Sequence, residues 1–442
     1  MNSANYYPDY RFGRFLIIFL LLSVLAGLAQ DSGFTPRQPP AKIDKIVILG
    51  NKKTEEQIIR YQVDFTPGDT ITANDLQKIE KRVFSLNLFN KVKTYLENFN
   101  SEVILFIEVT ERVYLFPVPY FRLVDQSWKK INFGLGIAHY NLFGLNQKLI
   151  AVGWLGYNPG FSIAYKNPWA GKSGWIYGAS LLKTNIRNRV LPIHEDHSGG
   201  SVFFGKNFSM YSKMVVSFNA DRITLTEQQT FYPESDKSDD INYKIMGSFT
   251  ADHRDYHYYP VNGYFVSLSY YYAFWKDQNQ NYQNISLDLR YYHKLGKNST
   301  LGLRTLGIKR TSHQPVNDYL LLGYKYRLRG YFYQRFQGSW LNISTISYRF
   351  PLLPVKYFTL PAASYFPESS MRNLPFGISL ALFLESGFLV DDIYKLNLAD
   401  LKTGIGAGLL FHLPYVNIFR LDFAVNDRFD NFDIIFQIGV AF

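Results

Sequence analysis

The sequence predicts a mainly β protein: a 16-stranded antiparallel transmembrane β-barrel behind one small N-terminal α+β domain of order β-α-α-β-β. Three observations predict it. First, the closing segment alternates. Phe432, Ile434, Phe436, Ile438, Val440 and Phe442 fall on one side, and Asp433, Gln437, Gly439 and Ala441 on the other, with Ile435 the apolar exception. A strand sends alternate side chains to opposite faces, and an apolar outside with a small or polar inside suits a strand between lipid and a wet lumen. Second, 34 Tyr and 37 Phe make the chain 17% aromatic, enough for aromatic girdles at two membrane interfaces. Third, short alternating runs recur from Val113 to the end, with tight turns and longer polar loops taking turns between them.

Composition narrows the classes. Mean hydropathy is only −0.13 despite the aromatic load, as expected when half of each strand faces water. After residue 30 no run approaches the ~18 apolar residues that a transmembrane helix needs. There is no cysteine, which excludes disulfides, thiol catalysis and a thiolate metal site. The net charge of +11 comes from Lys and Arg scattered over strands and loops. This argues against nucleic acid and for anionic lipid headgroups or an acidic surface layer.

The first residues read as a secretory signal over 1–29: Arg11 and Arg14, an apolar core from Phe15 to Leu25, then Ala26-Gly27-Leu28-Ala29. Residues 30–41, with Pro36, Pro39 and Pro40, read as a linker. Residues 42–112 read as the small domain. Lys42–Leu49 alternates as a strand and breaks at Gly50-Asn51. Thr54 is placed to cap a helix from Glu55, with Ile58 and Ile59 on its buried face. Pro67-Gly68-Asp69 is a turn. Ala73–Phe84 is a second helix with Leu76, Ile79 and Val83 at helical spacing, and Phe89–Glu97 and Val103–Glu111 close the domain as strands.

Residues 113–442 read as the barrel. Gly144-Leu145-Asn146, Met210-Tyr211-Ser212 and Gly296 to Ser299 are tight turns, and Arg187–Ser198, Thr224–Asp240 and Thr311–Trp340 are longer loops. An even strand number returns both barrel ends to the side of the small domain. Inward polar or glycine positions recur at Ser217, Asn219 and Asp221, at Ser286, Asp288 and Arg290, and at Gly404, Gly406 and Gly408. The apolar Ile378, Leu380, Leu382 and Leu384 turn Phe383, Glu385 and Gly387 inward. The long loop carries Leu328-Arg329-Gly330-Tyr331, then Phe336-Gln337-Gly338. An Arg on a loop and a Glu in a confined lumen can form a charge-assisted pair that pins the loop, and Gly330 permits a tight turn beside it. The first barrel strand, Tyr114–Leu123, contains Pro117 and Pro119. Each removes a ladder donor, so this strand can pair only weakly on at least one edge. It would close against the last strand, where Gly439 adds flexibility.

His194-Glu195-Asp196-His197 is placed in an external loop, and Asp252-His253 with Asp255 and His257 at a turn on the domain side. Both read as solvated polar loops rather than metal sites. No Gly-x-Ser-x-Gly elbow, phosphate loop or His-Glu-x-x-His motif is present. The chain is therefore read as no enzyme, with neither metal nor cofactor. The segment Leu352–Phe376 is long for a turn, and its role stays open between partner docking and disorder.

Residues 42–112 resemble a POTRA domain, the periplasmic module of the BamA/TamA-like outer-membrane assembly superfamily. The resemblance rests on Ile46 to Asn51, Gly68-Asp69, Leu86 to Val92 and Ile107 to Arg112. Arg329-Gly330-Tyr331 and Phe383-Leu384-Glu385-Ser386-Gly387 resemble that superfamily's lumen-loop motif and its acidic partner strand. Gly404 to Gly408, Arg420 to Ala424 and Phe436 to Phe442 match further, the last resembling a C-terminal recognition signal. One departure is Ser347, where relatives often carry an acid, which leaves Arg349 without that partner.

The resemblance implies a Gram-negative outer-membrane location, with residues 42–112 in the periplasm. The implied function is assembly, insertion or translocation of outer-membrane proteins. A strand edge of the small domain would capture unfolded clients, and a weak seam between first and last strands would act in the membrane. Outer-membrane lipid, unfolded clients and periplasmic accessory proteins are the implied partners, and nucleic acid is not one. Two other readings stay open: a passive pore or surface antigen, and a polypeptide secretion channel. Members of the latter kind generally carry two periplasmic modules and a plug helix, and neither is evident.

Overall fold

The computed structural model describes residues 40–99, 102–124, 129–171, 173–188, 191–226, 230–231, 238–296, 298–311, 313–323, 326–332, 334–361, 371–414 and 417–438. Residues 1–29, read from the sequence as a secretory signal, residues 30–39 of the expected linker, and Gly439 and Phe442 lie outside these residues.

The N-terminal domain builds a three-stranded sheet from β2 (Lys45–Leu49), β4 (Phe89–Phe99) and β5 (Glu102–Glu111), in the order β2-β5-β4. β5 is central, parallel to β2 and antiparallel to β4. A short pair, β1 (Ala41–Lys42) with β3 (Thr70–Ile71), adds to the predicted order. Helices α1 (Glu56–Arg60) and α2 (Ala73–Ser85) pack on the sheet. Ile58 and Ile59 from α1 and Ile79 and Val83 from α2 meet Leu105 and Ile107 in one buried core. α2 starts with a capping box: Thr72 Oγ1 accepts from Asp75 N, and Thr72 N donates to Asp75 Oδ2 at 3.1 Å. Thr54 does not cap α1. Glu55 occupies the N-cap position without a side-chain cap bond, and Thr54 is buried elsewhere, against the barrel.

Sixteen antiparallel strands follow in one sheet. They are β6 (Leu115–Leu123), β7 (Ile131–Leu142), β8 (Gln147–Gly156), β9 (Gly160–Ala170), β10 (Trp175–Arg187), β11 (His194–Asn207), β12 (Ser212–Leu225), β13 (Asp239–Asp252), β14 (Gly263–Trp275), β15 (Asn281–Leu295) and β16 (Ser299–Arg310), then, past the long loop, β19 (Trp340–Phe358), β20 (Leu374–Val390), β21 (Lys402–Leu413), β22 (Asn417–Asn426) and β23 (Phe432–Ile438). Every strand pairs with its neighbour in sequence, except that β16 and β19 pair across the loop, which holds the short pair β17 (Leu321–Leu322) and β18 (Phe336–Gln337). Sequential antiparallel pairing needs only short connections.

The alternation sorts the two faces. Leu135, Leu155, Leu181, Phe218, Leu287 and Leu384 point outward and are exposed, Leu135 by 65%. Outward aromatics gather at both ends: Trp175, Phe204, Tyr264, Tyr291 and Tyr348 toward the N-terminal domain, and Phe121, Phe133 and Phe432 at the other rim. Inside, Arg329, Glu385, Asp422 and Asp433 are buried. An exposed apolar exterior around a buried polar interior inverts the soluble pattern and matches a barrel in lipid.

Two segments differ from expectation. His194 to His197 opens β11 rather than lying in a loop. His197 Nδ1 lies 2.7 Å from Asp221 Oδ2 and its Nε2 2.9 Å from Glu195 Oε2. Polar residues fit a strand here because alternate positions face the interior. Leu352–Phe376 forms a hairpin extension at its two ends. β19 and β20 continue pairing to Phe358 and Leu374, with register shifts around Pro351 and Pro354 that absorb the missing donors. Residues 362–370 lie outside the described residues.

Candidate functional site

The loop between β16 and β19 folds back into the barrel. Arg329 Nη2 lies 2.5 Å from Glu385 Oε1 on β20, and its Nη1 lies 3.1 Å from Asp422 Oδ2 on β22. Its backbone N donates to Glu385 Oε2 at 3.0 Å. The guanidinium lies over Phe383, 3.4 Å from the ring centroid. Glu385 also accepts from Thr345 at 3.2 Å. Gly330 N and Phe332 N both donate to Asp433 Oδ2 on β23, at 2.9 and 3.0 Å. Tyr331 donates its hydroxyl to Asp427. One loop turn thus holds β20, β22 and β23 together.

Glycine provides the room. Gly330 has φ +92, and a Cβ there would sit 2.7 Å from Val425 O. At Gly404 on β21 a Cβ would fall on the Arg329 carbonyl oxygen. Gly406 and Gly408 leave space for the Phe383 ring and the Asp422 carboxylate in the same way. Gly387 is inward on β20, two residues beyond Glu385.

The loop's earlier half reaches the opposite wall. Asp318 Oδ2 accepts from Lys244 on β13 at 2.7 Å and from Tyr282 on β15 at 2.9 Å. The same loop therefore contacts β13 and β23, which requires the sheet to curl around it.

Arg349 has no carboxylate at Ser347, and the structure shows what stands there instead. Its Nη2 donates to Pro260 O at 2.6 Å, and its guanidinium lies between Tyr259 (4.8 Å) and Tyr292 (5.2 Å). The β13–β14 turn thereby closes over the interior.

Pro117 and Pro119 lie on β6, the end strand of the sheet, and their geometry decides which edge is weakened. Tyr140 N donates to Tyr114 O and Val124 N to Lys130 O, so even-numbered residues of this strand bond to β7. Consecutive N–H groups of an antiparallel strand point to opposite edges. The odd-numbered Pro117 and Pro119 therefore delete donors from the edge that faces away from β7. Among the described residues no bridge joins β6 to β23.

The N-terminal domain sits across one end of the barrel. Thr54 Oγ1 bonds Tyr114 OH at 2.8 Å and Asn141 Nδ2 at 2.9 Å, and Glu55 N donates to Gly144 O. Tyr61 stacks on Trp169 with centroids 5.3 Å apart, and Phe84 meets Tyr256 at 5.7 Å. Lys81 Nζ pairs with Asp255 at 2.9 Å, and Tyr211 OH donates to Asp64 at 3.2 Å. A cavity of about 320 Å³ remains at this junction, between Phe84, Phe89 and Arg112 of the domain and Tyr256, Tyr259 and Tyr357 of the barrel. Among the described residues no group of three His, Asp or Glu is arranged to hold a metal ion.

Residues 141–442, more than half of the chain, match the family model of the Omp85 superfamily domain. The chain belongs to the Omp85 superfamily. Residues 41–112 match the POTRA model, described as the surface antigen variable number repeat. Among solved structures this Omp85 chain is similar to BamA from Haemophilus ducreyi lacking POTRA domains 1–3. The TM-score is 0.52 at 13% identity, over 99% of this chain and 94% of that one. It is also similar to CdiB from Acinetobacter baumannii, with TM-score 0.51 and 14% identity over 91% and 71% of the two chains. At these identities the likeness is one of fold, a BamA-type barrel with a POTRA-like domain. No curated protein matches the chain. Omp85 membership implies the Gram-negative outer membrane with the POTRA domain on the periplasmic side, and a role in outer-membrane insertion or secretion at the level of the family.

Sequence reasoning misses Asp422, Asp433 and Asp427 as loop partners. The signal is present in the alternation of β22 and β23, where Leu421 and Phe423 turn Asp422 inward and Phe432 and Ile434 do the same for Asp433. Nothing local, however, ties a strand carboxylate to a loop about 100 residues earlier.

Proposed function

We propose that this protein assembles or inserts other outer-membrane proteins, with the barrel seam as the working element. The observation that carries this reading is an asymmetry across the seam. On one side β20, β22 and β23 are bound to the lumen loop through Arg329, Gly330 and Phe332. On the other, β6 presents an edge from which Pro117 and Pro119 have removed donors. Such a seam can part on the β6 side while the β23 side keeps its shape. A client strand can then pair with the exposed β23 edge, where backbone hydrogen bonds supply affinity without demanding a sequence. The energy comes from strand pairing and from apolar surface entering lipid, and no nucleotide is needed.

The POTRA sheet offers two further edges, β2 and β4, for extended clients or periplasmic accessory proteins. Depletion of the protein followed by an inventory of outer-membrane proteins tests the reading. Loss of a set of barrels supports it. An unchanged inventory favours a pore or surface antigen, and loss of a single exported polypeptide favours secretion.

A further inference from the structure

Most cations that face the barrel interior are matched. Lys244 and Arg310 meet Asp318, Arg290 and Arg304 share Asp288, and Arg329 meets Glu385 and Asp422. The wall formed by β8 to β12 breaks this rule. Lys148 on β8 and Lys166 on β9 are direct cross-strand partners. Both point inward, because Leu149, Ala151 and Ile163 take the lipid side of the same strands. Lys213, the second residue of β12, is also inward, since Met214 and Val216 are exposed on the outer face. It stands one residue into β12, as Lys148 stands one residue into β8, at the same end of the barrel.

The neighbours of this trio are neutral. Lys166 is flanked on its other side by Gly178, and Lys213 by Asn207 and Thr250. Lys148 has its ammonium 5.7 Å from the centre of the Tyr140 ring. Among the described residues none of the three lysines has a carboxylate partner. Like charges placed directly opposite in a sheet are unfavourable, and a barrel wall holds them at fixed separation. Lys166 and Lys213 remain exposed to the interior. Lys148 and Lys213 each follow directly on a turn that touches the POTRA domain, through Gly144 in one case and Met210 and Tyr211 in the other.

We propose that Lys148, Lys166 and Lys213 form a binding site for a multiply charged oxyanion on the lumen wall, just inside the POTRA end of the barrel. Ammonium groups are point donors that bind phosphate or carboxylate oxygens from several directions. A ligand carrying two or more such charges would relieve the Lys148–Lys166 repulsion.

The test is isothermal titration calorimetry on the full mature chain in detergent micelles, with inorganic pyrophosphate and a hexaglutamate peptide as probes. At least one probe is expected to bind saturably and to weaken with added salt. Pyrophosphate as the tighter probe indicates a phosphate-bearing ligand, and hexaglutamate as the tighter probe an acidic polypeptide. Lys148→Gln with Lys166→Gln should weaken binding by about tenfold or more. Lys206→Gln should leave it unchanged, because Lys206 lies on the outer face over Trp175. The double variant removes a repulsion, so its barrel should fold, as read by heat-modifiable gel mobility. Lys213→Gln alone is a second variant, also expected to weaken binding. Absence of saturable binding by both probes, or equal affinity in wild type and variants, overturns the proposal.

Discussion

Arg329 and Glu385 meet 56 residues apart in sequence, with Nη2 and Oε1 at 2.5 Å in a site closed to solvent. The arginine is bound a second time by Asp422, so the contact joins two strands rather than one. Removing the guanidinium leaves Glu385 buried without its cationic partner and Asp422 with Arg420 alone, and taking one charge from a buried ion-paired group is the costly way to break it.

Arg329→Ala should therefore destabilise the barrel by roughly 3–5 kcal/mol. Arg329→Lys should recover only part of that, because one ammonium cannot serve both carboxylates in the geometry of the guanidinium fork. The temperature at which heat-modifiable gel mobility is lost reads the effect. A melting point within a degree or two of wild type for Arg329→Ala would show that the loop is not held by this residue.

Pro117→Ala with Pro119→Ala restores two N–H donors to the outer edge of β6. The expected result is a tighter seam, with each recovered bond worth about 1 kcal/mol. Disulfide trapping between single cysteines placed in β6 and β23 should then approach completion, and assembly activity should fall. Equal trapping with and without the prolines would remove the weak edge from the account.

The POTRA domain is held to the barrel by two aromatic contacts, one of them a stack, by the exposed Lys81–Asp255 pair and by hydrogen bonds at Thr54, Glu55 and Asp64. Aromatic pairs contribute about 0.5–1.5 kcal/mol each beyond burial, and the Lys81–Asp255 pair adds little. Phe84→Ala with Trp169→Ala should therefore loosen the domain without unfolding either part. Spin labels on α2 and on the outer rim should show a broadened distance distribution. An unchanged distribution would mean that the Thr54–Tyr114–Asn141 contact suffices.

The α2 cap gives a pH dependence. Hydrogen bonding from Thr72, helped by Lys78, holds the Asp75 carboxyl below its ordinary range. A depressed folded-state value contributes stability above the unfolded value, and this is lost as pH falls through the folded one. Amide protection factors across Ala73–Ser85 should fall as pH drops below about 4. Thr72→Ala should lower them about fivefold already at neutral pH, as expected for a cap worth about 1 kcal/mol. Flat protection factors across this range would show that the cap does not govern α2.

Much of the architecture is legible in period-two alternation, because a lipid-facing wall forces apolar residues onto every second position. The same logic turns Glu385 inward from the sequence alone. It fails where polarity is mistaken for a loop. His194 to His197 is polar because one side faces a wet interior and the other lies near the membrane rim. Thr54 reads locally as a helix cap, but its hydroxyl is used between domains, by Tyr114 and Asn141. Pro351 and Pro354 argue against a strand, yet a register shift accommodates both. These misses share one cause: the deciding contact lies far away in sequence.

The most direct test of the seam is a folding assay in liposomes. The purified protein is reconstituted with one cysteine in β6 and one in β23, and the rate at which a urea-unfolded outer-membrane barrel folds is followed with the disulfide formed and then reduced. The account predicts acceleration over empty liposomes that disappears when the seam is tethered and returns on reduction. Acceleration that persists through the tether, or none in either state, would contradict it.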